Sequence, residues 1–236
     1  MKRNVKLISL LLVLVMVLGV VLCGCGAKED PKNAAFVTLT DQAELGKDKS
    51  GNYIAARALE IPAEGTTVGD LIKQLHKDLF KDGEAGYATS TGQYGEQIDK
   101  LWGVENGGSY GYYINGAMAM GLTDPVKPGD RVDVFVYKDA AGYSDAFIYM
   151  EAEANGDSVK VTVKAMSFDA NWNPVMKELA NTKIYYAENG KLTDTGAVTG
   201  ADGTATFTLK NGTYRLVGIN TDAVYTVTAQ KLVVKK

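Results

Sequence analysis

The sequence predicts a mainly β protein: an α+β half with one helix across a sheet, followed by an all-β half of sandwich type. Three observations carry this. Only one stretch, Val68 to Leu79, has helical apolar spacing. Apolar and polar residues alternate over many short runs, the strand period. Five Asn-Gly pairs, at Asn106, Asn115, Asn155, Asn189 and Asn211, punctuate these runs, and Asn-Gly suits the type I′ hairpin turn because both central residues need positive φ.

The chain opens with a segment of a different kind. Lys2, Arg3 and Lys6 precede an uncharged apolar run from Leu7 to Leu22, the pattern of a secretory signal. The run ends in Leu22-Cys23-Gly24-Cys25, which resembles a bacterial lipobox. That resemblance implies a signal peptide over residues 1–24, cleavage before Cys25 and diacylation of Cys25. Two alternatives stand beside it: an uncleaved anchor, for which the run is short of the ~20 residues a spanning helix needs, and ordinary cleavage with release. All three place the bulk of the chain outside the cytoplasm, and lipidation adds anchoring to the bacterial cell membrane through two acyl chains.

Residues 25–34 read as a polar tether. Alternation over Ala35 to Thr40 predicts a strand, and Leu59 with Ile61 a second. Thr66-Thr67 is positioned to cap the helix, whose Val68, Leu71, Ile72, Leu75 and Leu79 share one face. Gly83 to Gly95 is rich in Gly, Thr and Tyr and is expected to be a loop. Tyr112–Ile114 and Ala117–Ala119 flank Asn115-Gly116 as hairpin arms. Pro128-Gly129-Asp130 is a turn, and Val132, Val134 and Val136 alternate in the strand after it. The boundary is expected at Asp139 to Ser144, giving domains of 35–138 and 139–236. In the second, Ile148 to Ala152 and Val159 to Val163 form a hairpin about Asn155-Gly156. Further strands are expected over 182–187, 204–210, 213–219 and 224–234, and Val175 to Leu179 reads as a helical turn or a loop.

Composition narrows the chemistry. Removal of the signal takes three cations and no acid, so the formal charge moves from −3 to −6; this argues against nucleic acid as a partner. With Cys25 acylated and Cys23 cleaved away, no thiol remains for a disulfide. His76 is the only histidine and is expected at the border of the helix's apolar face rather than in a catalytic device. Clustered Cys and His for zinc are absent from the sequence. Asp169, Asn171 and Asn173 open like a calcium loop, but Pro174 replaces its glycine and Ala180 its final acid, so a turn held by side-chain amides is expected. Gly107-Gly108 precedes a strand, not a phosphate-holding helix, and no carboxylate pair stands out for glycoside hydrolysis. No cofactor and no enzymatic activity are expected.

The segments TTVGDLIKQL (Thr66 to Leu75), WGVENGGSYGYYINGA (Trp102 to Ala117) and VKPGDRVDVFVY (Val126 to Tyr137) resemble, in this order, the transcobalamin-like C-terminal family, a β-grasp module. The resemblance covers roughly residues 36–138. It implies a binding role, with a corrinoid as the leading ligand, although the helical barrel that completes vitamin capture in carrier relatives is missing. The segments Asn173 to Leu192 and Thr199 to Leu216 resemble immunoglobulin-like, Cna-B-type bacterial surface sandwiches. Lys160 and Lys164 lie on an early strand, but no Asn occurs in Val224 to Val234, and no isopeptide bond is expected.

The stretch SYGYYINGAMAM concentrates aromatic and methionine side chains. Neighbours on a strand point to opposite faces, so Tyr112 and Tyr113 cannot enter one core. Either these tyrosines are structural, or Trp102, Tyr110, Tyr112, Tyr113, Asn115, Met118 and Met120 form a surface for a flat, apolar ligand. The expectation is a non-catalytic cell-surface binding module. The alternative is an adhesive or structural surface protein that recognises a polymer or partner protein without a small ligand.

Overall fold

A computed structural model describes residues 29–235 apart from Ala63 and Tyr94. The signal peptide, the lipidation of Cys25 and the first part of the tether lie outside the described residues. Among the described residues there are sixteen strands and one α-helix, a mainly β chain as expected. No described helix is long and apolar enough to cross a membrane.

Helix α1 (Val68–Leu79) starts where its sequence dictates. Thr67 Oγ1 accepts from Asp70 N–H at 3.2 Å, and the Asp70 carboxylate accepts from Thr67 N–H at 3.0 Å, a reciprocal cap that satisfies two otherwise orphaned donors. Its buried face, Val68, Leu71, Ile72, Leu75, His76 and Leu79, packs on a sheet ordered β2 (Glu44–Leu45), β1 (Ala34–Asp41), β8 (Arg131–Val136), β6 (Tyr110–Ile114) and β7 (Ala117–Met118), with β3 (Arg57–Glu60) also paired to β1. The sheet is mixed: β1 and β8 run parallel from Phe36↔Arg131 to Asp41↔Val136, and the other pairs are antiparallel. β1 begins within the expected tether, and Asn33 is already held, its Nδ2 donating to Ile61 O at 2.8 Å.

Strand alternation divides this sheet into two faces. Ala35, Val37, Leu39, Val132, Val134 and Val136 join the helix in one core. Phe36, Thr38, Thr40, Asp133 and Phe135 point the other way, toward the second half. Asn115 and Gly116 both have positive φ, 51° and 82°, and join β6 to β7 as the expected tight turn.

The expected loop over Gly83 to Gly95 is not one. Gly83–Gly86 is a 3₁₀ turn, and β4 (Ala88–Gly92) pairs with β5 (Gly95–Lys100) in a two-stranded hairpin. Cross-strand hydroxyl–carboxylate bonds hold it: Thr89 Oγ1 donates to Glu96 Oε1 at 2.7 Å and Ser90 Oγ to Asp99 Oδ1 at 2.9 Å.

In the second half, β9 (Ile148–Asn155) and β10 (Ser158–Phe168) form the expected hairpin. The outer edge of β10 pairs first with β14 (Thr204–Thr208) and then with β11 (Pro174–Glu178), so the segment expected as a helical turn or loop is an edge strand. A second sheet is ordered β13 (Lys191–Val198), β12 (Lys183–Glu188), β15 (Gly212–Ile219) and β16 (Thr228–Val234). Val159, Val161 and Val163 from one sheet and Ile184, Leu216 and Leu232 from the other share a core. Between the sheets, Thr226 and Thr228 hydroxyls accept from Ile148 and Met150 N–H, each at 3.0 Å.

The two halves are in contact. The Tyr113 ring stacks on Phe147 at 3.8 Å and 15°. Thr40 Oγ1 accepts from Val227 N–H at 2.9 Å. Arg131 donates from Nη1 to Met150 O at 2.7 Å and from Nη2 to Ala229 O at 2.9 Å, its guanidinium 4.1 Å from the Tyr149 ring centre. The second half thus covers the face of the first sheet that α1 leaves open.

Candidate functional site

Strand β6 carries Tyr110 and Tyr112 on its helix-side face, two residues apart. Tyr110 is tied in place: Oη donates to the carbonyl of Asp99 or Val104, each 2.8 Å away, and accepts from Asn106 N–H at 3.2 Å. The loop before it is set by Asn106, whose Nδ2 donates to Ser109 O at 2.9 Å and whose Oδ1 accepts from Ser109 N–H at 3.1 Å. Gly107 and Gly108, both at positive φ (77° and 93°), make that turn possible. Tyr112 packs its inner part on the helix-side core and keeps its outer part accessible.

These two rings form one side of a cleft of about 580 Å³; β5 from Gly95 to Asp99, the Gly107-Gly108 turn and Met120-Gly121 complete it. Met120 is 92% exposed, and its N–H donates to Asp124 Oδ2 at 2.6 Å. Among the described residues, Glu96 and Asp99 are the only charged ones lining the cleft, which makes it acidic. Burial raises the pKa of both Tyr110 and Tyr112 above the ordinary phenol value, and both are neutral phenols at physiological pH. The arrangement offers aromatic surface and two carboxylates, and no nucleophile–base pair lines it among the described residues.

The other expected site residues lie elsewhere. Tyr113 is 3% exposed and sits with Phe135 and Phe147 between the halves, its hydroxyl 3.0 Å from Met166 Sδ. Asn115 serves the turn: Oδ1 accepts from Arg131 N–H at 2.9 Å, and Nδ2 donates to Asp130 Oδ1 at 2.8 Å. Met118 is exposed but is the register partner of Tyr113, so it faces away from Tyr112. Trp102 is 8% exposed, edge-on to His76 and Phe80, and its rim borders a separate cleft of about 770 Å³ that also carries Lys47, Lys49, Lys81 and Lys100. The structure therefore gathers Tyr110, Tyr112 and Met120 and separates the rest. It adds Glu96 and Asp99, which sit in a polar, Gly-flanked segment with no apolar alternation to mark it as a strand.

His76 is not a border residue. It is fully buried, Nε2 accepts from Trp102 N–H at 2.8 Å, and Nδ1 lies 2.8 Å from Ile72 O. Burial lowers its pKa, with the Ile72 carbonyl acting in the opposite sense. Both ring nitrogens are committed to backbone partners, which removes it from general-base chemistry. The Asp169 loop is the expected side-chain-held turn: its Oδ1 accepts from Asn171 and Asn173 N–H at 2.8 and 2.9 Å, and its Oδ2 from Asn173 Nδ2 at 3.1 Å. No protein-family model matches the chain, and no curated protein or solved structure does.

Proposed function

We propose that the chain is a non-catalytic binding protein, held at the outer face of a bacterial membrane by acyl chains on Cys25, with its ligand seated in the cleft beside Tyr110, Tyr112 and Met120. The observation that carries this is the pair of half-buried tyrosines, fixed at one spacing on β6 and facing a cleft of about 580 Å³, within the size range of ligand sites. The single helix on a mixed sheet supports the β-grasp reading of residues 35–138. Two sheets around one core support the immunoglobulin-like reading of residues 139–236, which acts as a spacer or docking platform.

The family resemblance points to a flat ligand, a corrinoid first. Thermal unfolding of the full chain in mild detergent, with corrinoids, tetrapyrroles and glycans as the panel, tests this. A ligand at ~100-fold excess over its Kd stabilises by about 2.7 kcal/mol, and Tyr112→Ala removes that stabilisation. Mass spectrometry of the N-terminal peptide tests the anchor: a residue 1 still attached or an unmodified Cys25 refutes it. The alternative reading, recognition of a partner protein without a small ligand, is favoured by one specific observation. Strand β5, along the cleft, pairs with β4 alone among the described residues.

A further inference from the structure

Five consecutive residues of β5, Gly95 to Asp99, line the acidic cleft. Successive side chains on a strand point to opposite faces, so an unbroken run means that the backbone of β5, and not only alternate side chains, borders the space. One edge of β5 is taken by β4. The other has no strand partner among the described residues, and alternate residues along it turn N–H and C=O outward. Tyr110 closes one end of this edge, since its hydroxyl lies on the Asp99 carbonyl.

The opposite wall has the matching period. Tyr110 and Tyr112 stand two residues apart on β6, and an extended chain repeats its side chains on one side at the same interval, about 6.6 Å. The remaining wall is low: Gly107, Gly108 and Gly121 bring no side chain into the space. The charge is of one sign. Glu96 and Asp99, on opposite faces of the hairpin, each accept one hydroxyl hydrogen bond and retain acceptor capacity, and among the described residues no cation lines the cleft.

Resting on the reading that this cleft is a recognition site, we infer that its occupant is an extended, basic polypeptide segment of a partner protein. The segment adds as a strand to the open edge of β5, lays alternate apolar side chains over Tyr110 and Tyr112, and sets Lys or Arg side chains against Glu96 on one face of the hairpin and Asp99 on the other. Backbone pairing supplies affinity and the alternating side chains supply selectivity, as in other strand-addition complexes.

The test starts from a library of short randomised peptides selected on the full chain in mild detergent, with binding of the synthetic winners followed by fluorescence anisotropy. The winners carry Lys or Arg between β-favouring residues. N-methylation along such a peptide weakens binding about tenfold or more at every second residue and little between. Glu96→Gln, which removes the charge and keeps an acceptor for Thr89 Oγ1, weakens binding about tenfold, and so does Tyr112→Ala. Failure to select any peptide overturns the inference, as does a winner indifferent to Glu96→Gln or equally sensitive to N-methylation everywhere. If a corrinoid stabilises the chain through Tyr112 while no peptide binds, the cleft remains a recognition site and only the peptide assignment falls. If Tyr112→Ala alters binding of neither probe, both fall.

Discussion

The Nε2 atom of His76 accepts the backbone N–H of Trp102 at 2.8 Å across the helix-side core. With Ile72 O at 2.8 Å from Nδ1, the ring proton belongs on Nδ1 and Nε2 is the acceptor. Protonation would place a second hydrogen against the Trp102 donor at a fully buried ring. The bond also holds Trp102 in a left-handed backbone conformation, φ 53°, which a bulky residue adopts only when surrounding contacts fix it.

A stability change with pH follows. Burial holds the folded-state pKa of His76 below its ordinary value of 6.5. The unfolded chain therefore binds more protons as pH falls below about 6.5, and this residue's contribution to stability declines on acidification until the folded-state pKa is passed. His76→Phe removes that decline and, by orphaning the Trp102 N–H, costs about 1–3 kcal/mol at neutral pH. Urea unfolding of both proteins at about pH 7.5 and about pH 5 checks it; an identical acid response in the variant refutes it.

Asp133 titrates in the opposite sense. It is 4% exposed, on the β8 face turned toward the second half, and its Oδ2 has no hydrogen-bond partner. Burial pushes its pKa up to about 6, against the lowering effects of Arg131 and Thr38. The native state then holds a proton that the unfolded chain gives up between about pH 4 and 6, so this residue favours folding as pH falls and penalises it once ionised. Asp133→Asn, which keeps an acceptor for Thr38, raises stability at neutral pH by about 1–3 kcal/mol. On acidification His76→Phe gains stability relative to Asp133→Asn. Superimposable pH profiles for the two variants would refute this pairing.

The elements readable in the sequence are those whose burial is one-sided. β1, α1, β8 and the β9–β10 hairpin show their apolar period directly because each packs one face on a core. The β4–β5 hairpin does not: Thr89, Ser90, Thr91, Glu96 and Asp99 are polar on both faces, and cross-strand bonds rather than burial hold it. The edge strands β11 and β13 are hidden for a related reason, being largely exposed or only half-buried. Asn-Gly marked turns unevenly. Asn115 and Asn189 adopt positive φ together with their glycines, whereas after Asn155 the chain turns at Gly156-Asp157. The site divides along the same line. Alternation separates Tyr112 from Tyr113, but which of them meets water depends on the second half lying over the Tyr113 face. The approach of Glu96 and Asp99 to β6 is likewise a long-range placement with no local sign.

Gly111 is a position where a single methyl group is excluded by a ring. It lies between the tyrosines on β6, on the face toward the second half, and a Cβ there would stand 2.0 Å from Phe135 Cζ and 2.4 Å from its Cε2. Phe135 is itself 2% exposed and packed with Tyr113 and Phe147, so the ring has nowhere to move. Gly111→Ala is expected to lose about 1–3 kcal/mol from overpacking. Adding Phe135→Leu to that variant recovers part of the loss, a coupling that a double-mutant cycle in urea resolves. Additive costs would show that the ring is not the obstacle.

Tyr112 and Tyr113 turn adjacent identical side chains to opposite uses, and their alanine variants separate the two. Tyr113 fills the seam between the halves, stacked on Phe147 at 3.8 Å and 3% exposed. Its removal leaves a cavity among rings that are themselves buried, and Tyr113→Ala is expected to cost about 3–5 kcal/mol. Tyr112 buries only its inner part beneath the cleft, so Tyr112→Ala is expected to cost roughly half as much while removing the ring a ligand would meet. Chemical denaturation ranks the two stabilities, and binding of whichever probe occupies the cleft ranks the two affinities. The orders must be opposite: Tyr113→Ala the less stable, Tyr112→Ala the weaker binder at a temperature where both are folded. If Tyr113→Ala weakens binding more while still folded, the cleft beside β5 is not where the ligand sits.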